Sequence, residues 1–262
     1  MSSFTLNKDI FNPQLYKSIQ DVWFEGHPLG SKGLNMDTAK RWFMLQGQDK
    51  EAFDSVCRGN FEDALEAIGP ENMSKPTAEP FLQEIQDAIQ RNPTDQGSQA
   101  AWTALSIILL LDQMARNVYR SNEGLRKVYN HYDKIAFSLV NTLLSSETPI
   151  VRPDLHPQWR NSIAHRHWFY MPLMHSEDLE SHKKALEMMQ QMNEDLKKLD
   201  VSDEVKAFAD QEVKFEKEHM EIIEKFGRYP HRNGALGRTM TDEEKSFLQE
   251  GGATFGVAQE DK

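Results

Sequence analysis

Three short polar segments, far apart along the chain, carry side chains of the kind that bind anions or move protons. The first is Asp112-Gln113-Met114-Ala115-Arg116-Asn117 with Arg120, which follows an apolar stretch over 104–111. At about 100° per residue, Asp112, Gln113, Arg116, Asn117 and Arg120 spread over an arc of roughly 140°. They lie beyond a portion of helix that is apolar nearly all round, and hence buried. Polar groups at the end of a buried helix are costly unless partnered. Asp112 and Arg116, at i,i+4, can partner each other.

The second segment is Met174-His175-Ser176-Glu177-Asp178-Leu179. Ser176 with acids behind it is an ordinary helix cap. His175 directly before the cap, two residues from Glu177, has the makings of an acid–base pair. His165 and His167 lie nearby, but no His-Glu-x-x-His spacing occurs, so no metal site is expected. The third segment runs from Phe226 to Arg238 and holds Arg228, His231, Arg232, Asn233 and Arg238 without one acid. Gly227, Pro230, Gly234 and Gly237 make it a shaped loop. Guanidinium forks suit carboxylates and phosphates. His219, seven residues before Phe226 on the preceding helix, faces the same way.

Helices position these segments. Leu15, Ile19, Val22 and Trp23 recur at helical spacing, as do apolar residues over 42–68 with a turn near Gly47. A loop is predicted over 66–77, then a helix carrying Phe81, Ile85, Ala88 and Ile89 that ends at Asn92-Pro93. Further helices are expected over about 98–119, 123–145 and 160–171, the last stopped by Pro172, with a proline-rich loop over 147–158. Ser176 and Ser202 can cap helices running to about 199 and 226, and Thr241-Asp242-Glu243-Glu244 is a capping box. No alternating strand pattern appears, so the fold class is all-α, helix on helix. No linker divides the chain, which reads as one domain over 1–262 with its core at about 12–250 and a frayed end at 251–262.

Composition narrows the function. Of 262 residues, 39% are hydrophobic, enough for a sizeable core, and the formal charge is −11. That charge argues against nucleic acid and anionic membranes as partners. The longest apolar run is far short of the ~20 residues that span a bilayer. The one cysteine, Cys57, is expected to be a packed residue, and with no signal-like N-terminus the expected compartment is the reducing cytoplasm. No phosphate loop, dinucleotide fingerprint or nucleophile motif occurs, so no cofactor is expected.

The three segments, with Asp21-Val22-Trp23-Phe24 and His219, resemble the domain of unknown function 924 family of bacteria and fungi, over about residues 15–250. Phe226-Gly227-Arg228-Tyr229-Pro230-His231-Arg232-Asn233, with Leu236-Gly237-Arg238, is the most specific part of the likeness. The chain departs from the family pattern at Met114-Ala115, where Phe-Pro is commoner, and at Tyr229, where Phe is usual. The regions 31–35 and 147–158 are longer than in bacterial members. The resemblance implies an irregular tetratricopeptide-like array of antiparallel helices and brings no mechanism with it.

Three functions compete. A pocket could bind a small anion through Asp112, Gln113, Arg116, Asn117, Arg120, Arg228, His231, Arg232, Asn233 and Arg238, with His175, Glu177 and His219 as catalytic groups. A tetratricopeptide-like groove could hold a protein or peptide. The polar cluster could instead only clamp helices together, although buried ion pairs do so no better than apolar packing. The pocket is the preferred reading.

Overall fold

A computed structural model describes residues 4–31, 33–145 and 152–257. Among them there is no strand; every element is helical. The chain opens with α1 (Pro13–Trp23), where Pro13 stands in the first turn and the Asn12 side chain accepts from the Gln14 and Leu15 amides. Next come α2 (Met36–Phe43), α3 (Gly47–Ala67) and α4 (Glu79–Arg91). Then α5 (Ser98–Ile108) runs without a break through a wide π-helical turn, Leu109–Met114, into α6 (Ala115–Val118). The device repeats where α7 (Asn122–Lys127) passes through a π-helical turn, Val128–Tyr132, into α8 (Asp133–Leu143).

The helix expected over 160–171 is instead α9 (Ile163–Arg166), a 3-10 turn and α10 (Met171–Met174). Pro172 does not stop a helix but stands in the first turn of α10, where its missing N–H costs nothing. α11 (Leu179–Lys197) and α12 (Asp203–Phe226) form the longest hairpin. Asp178 rather than Ser176 caps α11, accepting from the Ser181 amide at 3.0 Å, while Ser176 Oγ accepts from the Asp178 amide. α13 (Asn233–Leu236) and α14 (Asp242–Gln249) close the fold, and α14 begins with the capping box expected at Thr241 and Glu244. Of the loop expected over 147–158, residues 147–151 lie outside the described residues, as do 258–262 of the end expected to fray.

α5 is the central helix. Leu105, Leu109, Leu110 and Leu111 are fully buried in the main core, while Trp102 is only half-buried at its edge. Cys57 is fully buried with its Sγ 3.7 Å from Met114 Sδ, and burial pushes its thiol up to about 12, so it is a packed and inert residue. No helix among the described residues is long and apolar enough to cross a membrane.

Candidate functional site

The two wide turns face each other and build the site between them. π-helical turns shift the side chains that follow, and they recur at functional sites. In the first, the Ala115 amide bonds to the Leu110 carbonyl, five residues back, and Asp112 is fully buried. His175 Nδ1 lies 2.7 Å from Asp112 Oδ1, and Gln113 Nε2 donates to Oδ2 at 2.6 Å. Burial pushes the Asp112 carboxyl up, but attraction to His175 and Arg116, with the hydrogen bonds from His175 and Gln113, holds it below its ordinary value. His175 is pushed down by burial and then by the Arg116 charge. The stable state is therefore an ionised Asp112 accepting from the Nδ1–H of a neutral His175, which leaves the lone pair on Nε2.

In the second turn the Asp133 amide reaches back to the Val128 carbonyl. Asp133 then takes a bidentate pair from Arg116, at 2.7 and 3.0 Å, while Arg116 Nη1 also donates to the Asp112 carbonyl at 2.7 Å. The i,i+4 pair expected between Asp112 and Arg116 is the weaker contact, at 3.7 Å. Arg232 comes from the opposite side, just before α13. Its guanidinium lies between the rings of Tyr129 and Tyr229, 4.6 Å from each centroid. Its side chain is 7% exposed, and the nearest carboxylate, Asp133, is 3.8 Å away. Among the described residues the guanidinium makes no hydrogen bond, and its Nε is buried without a partner.

Two more imidazoles complete the interior. His219 Nδ1 donates to the Phe215 carbonyl at 2.7 Å, which leaves Nε2 as its lone pair, and burial pushes its pKa down to about 3. His231 is pushed to about 2, first by burial and then by the Arg232 charge. Together these groups enclose a cleft of about 440 Å³, whose walls include Arg116, His175, His219, His231, Arg232, Tyr129 and Tyr229. Lys50, Glu51, Asp54 and Arg120 also line it. Arg120 is spent on a bidentate pair with Asp54, at 2.8 and 2.6 Å.

A family model described as "Bacterial protein of unknown function (DUF924)" matches residues 19–252. The chain belongs to this family. The solved structure of a protein of unknown function from Agrobacterium tumefaciens is similar at a TM-score of 0.52, with 24% sequence identity, covering 91% of this chain and 98% of that one. That likeness is one of fold. No curated protein matches the chain.

Of the residues expected at a site in this DUF924 chain, the cleft gathers Arg116, Arg120, His175, His219, His231 and Arg232, with Asp112 and Gln113 directly behind His175. Asn117 braces the wall, donating to the Gln113 carbonyl and accepting from Arg120. The others are committed elsewhere. Glu177 holds Arg238 in a bidentate pair, at 2.9 and 2.7 Å, and accepts from the Tyr229 amide at 3.0 Å. It thus positions the Arg232 segment rather than His175. Arg228 is locked to Glu244, at 2.6 and 2.8 Å, and donates to the Thr239 carbonyl. Asn233 is fully buried beside the cleft wall without lining it. Residues missed from the sequence are Asp133, Tyr129, Tyr229, Lys50 and Phe255. An aspartate on the otherwise apolar face of α8 was the one available signal.

Proposed function

We propose that the cleft binds a small carboxylate- or phosphate-bearing molecule through Arg232, and that His175, oriented by Asp112, is the general base acting on it. The observation that carries the reading is the buried Arg232 guanidinium with no hydrogen bond. A buried charge left without hydrogen bonds is expensive, and the fold retains it where a ligand supplies them. Two tyrosine faces hold the fork by cation–π contact without using up its donors. Arg116, already neutralised by Asp133, gives the bound group a second cationic neighbour.

The base assignment follows from tautomer and geometry. Asp112 accepts the Nδ1 proton, so Nε2 can take a proton from a bound molecule, and the resulting imidazolium stays paired with a carboxylate. His219 and His231, pushed far below neutrality, remain uncharged and serve as neutral hydrogen-bonding groups.

Thermal melting with inorganic phosphate or acetate tests the binding. A ligand at ~100 times its Kd adds ~2.7 kcal/mol to the native state. Wild type should be stabilised by at least one of the two anions, and Arg232→Met by neither. A wild type indifferent to both overturns the reading. The base is tested by 15N NMR of the histidines. His175 should carry its proton on Nδ1, and Asp112→Asn should change that tautomer; a proton found on Nε2 in wild type excludes His175 as the base.

A further inference from the structure

Among the described residues, four lysine and arginine side chains line the cleft: Lys50, Arg116, Arg120 and Arg232. Two of them are matched to acids. Arg116 holds Asp133 in a bidentate pair, and Arg120 holds Asp54 in another. Those two pairs decide the state of the other two cations. Asp133 is the carboxylate nearest Arg232, but both its oxygens are bonded by Arg116, and it comes no closer than 3.8 Å to the Arg232 guanidinium. Asp54 lies one turn along α3 from Lys50, at the i,i+4 spacing that lets an acid and a lysine meet. Both Asp54 oxygens are instead bonded by Arg120, and Lys50 makes no ion pair or hydrogen bond among the described residues. The remaining acid of the lining, Glu51, is exposed to water, which screens its charge.

The wall opposite Lys50 is fixed. The Gly252 amide donates to the Phe247 carbonyl at 2.8 Å, Ala253 packs on the cluster of Ile222, Ile223 and Tyr229, and Val257 packs on the main core. Between them, Phe255 stacks on His219, with centroids 4.1 Å apart, and meets His231 at 5.1 Å. Gly256 then stands beside the half-buried Lys50, where a Cβ would be 3.9 Å from Nζ. Consecutive Cα atoms are about 3.8 Å apart, so Lys50 lies within a residue or two of the ring that covers the histidines. One cleft therefore holds two uncompensated cations, a buried guanidinium between Tyr129 and Tyr229 and a half-buried ammonium on α3.

We propose that the ligand of the cleft is a short dianion, a dicarboxylate or a phosphorylated carboxylate, with one anionic group on the Arg232 fork and the other on the Lys50 ammonium. The proposal deepens the anion-site reading and rests on it. A single carboxylate satisfies one cation and leaves the other without a partner, whereas a dianion answers both. The planar fork of Arg232 matches a carboxylate, and the ammonium of Lys50 serves as a point charge for a carboxylate or a phosphate.

NMR titration of the histidine rings at constant ionic strength, near pH 7, measures the affinities. The probes are acetate, succinate, glutarate and phosphoglycolate. In wild type the tightest dianion should bind about tenfold or more above acetate, the gain of one further charge-assisted hydrogen bond. Succinate or glutarate in that place identifies a dicarboxylate site, and phosphoglycolate a phosphocarboxylate site. Lys50→Met should bring the dianion down to the acetate level and leave acetate binding unchanged. Its melting temperature without ligand should match wild type, because Lys50 has no partner to lose. Arg232→Met should lose acetate and dianions alike. Dianions bound no more tightly than acetate by wild type, or equally well by Lys50→Met, overturn the proposal while Arg232-dependent acetate binding leaves the anion site standing. If wild type binds none of the four probes, the anion-site reading fails and the dianion falls with it.

Discussion

Arg116 and Arg232 both approach Asp133, and replacing each by methionine separates a structural cation from a binding one. Arg116 gives Asp133 two hydrogen bonds, at 2.7 and 3.0 Å, and a third to the Asp112 carbonyl at 2.7 Å. In Arg116→Met the Asp133 carboxylate, only 9% exposed, keeps no partner but Arg232 at 3.8 Å. Breaking a buried pair from one side costs about 3–5 kcal/mol. In Arg232→Met, Asp133 keeps its bidentate Arg116, and the thioether takes the slot between Tyr129 and Tyr229, where sulfur–ring contacts are favourable. A buried cation without hydrogen bonds disappears, so stability should stay within about 1 kcal/mol of wild type, on the stabilising side. The two variants then differ by ~3 kcal/mol or more, which for a chain of this size is about 6–12 °C in melting temperature. Urea titration with a constant slope confirms that the difference is one of stability. If Arg232→Met costs as much as Arg116→Met, and phosphate stabilises neither wild type nor variant, Arg232 is a clamp and the binding reading loses its foundation.

Leu109→Ala, at a fully buried position in the first wide turn, should cost ~2–5 kcal/mol in urea; a cost near zero would show that this helix is not central. Glu177→Gln should destabilise by about 1–3 kcal/mol, because it breaks the pair with Arg238, yet leave the stabilisation by phosphate intact; loss of that stabilisation alone would return Glu177 to the site. Stability should fall as pH drops below neutrality. His165, His219 and His231 are pushed down to about 3, 3 and 2, each chiefly by burial, whereas the unfolded chain protonates them near the ordinary value of about 6.5. The unfolded state thus binds more protons throughout that window, at up to ~1.4 kcal/mol per pH unit for each histidine. Urea midpoints that stay flat between about pH 7 and 4.5 would contradict these shifts, and His219→Gln should flatten the slope by one proton.

The fold class was legible because apolar stripes recur at helical spacing along the chain and capping side chains mark several helix starts, although Ser202, at the start of α12, makes no side-chain cap bond. Asn12, Asn35 and Thr241 all cap as their residue types predict. The three polar segments were legible as a group for a different reason: guanidinium and imidazole groups amid buried stretches need partners. What could not be read was which partner each would take. Arg228 and Arg238 look equivalent to Arg232 in sequence, but Glu244 and Glu177 neutralise them, and those acids come from a capping box and a helix entry with duties of their own. Phe255 lies in a glycine-rich stretch that composition alone assigns to a fraying end, and its stacking on His219 is set by tertiary geometry.

The least legible feature is also the one on which the site depends. Wheel arithmetic assumes a constant 3.6 residues per turn, and on that assumption Asp112 and Arg116 share a face and pair. Each of the two π-helical turns instead reaches back five residues, from Ala115 to Leu110 and from Asp133 to Val128. An extra residue in a turn rotates everything beyond it by about 100° relative to the helix before it. That rotation gives Arg116 a bidentate pair with Asp133 and the Asp112 carboxylate a closer partner in His175, so the expected Asp112–Arg116 ion pair, present at 3.7 Å, becomes the longer link between a carboxylate–imidazole dyad and a guanidinium–carboxylate pair. It also sets Tyr129, in the second wide turn, against one face of Arg232. No residue type encodes a π-helical turn, since α-helical hydrogen bonding is open to the same residues. The turns persist because the polar contacts they create offset the imperfect ladder, which makes the site and the irregularity of its two helices a single structural fact.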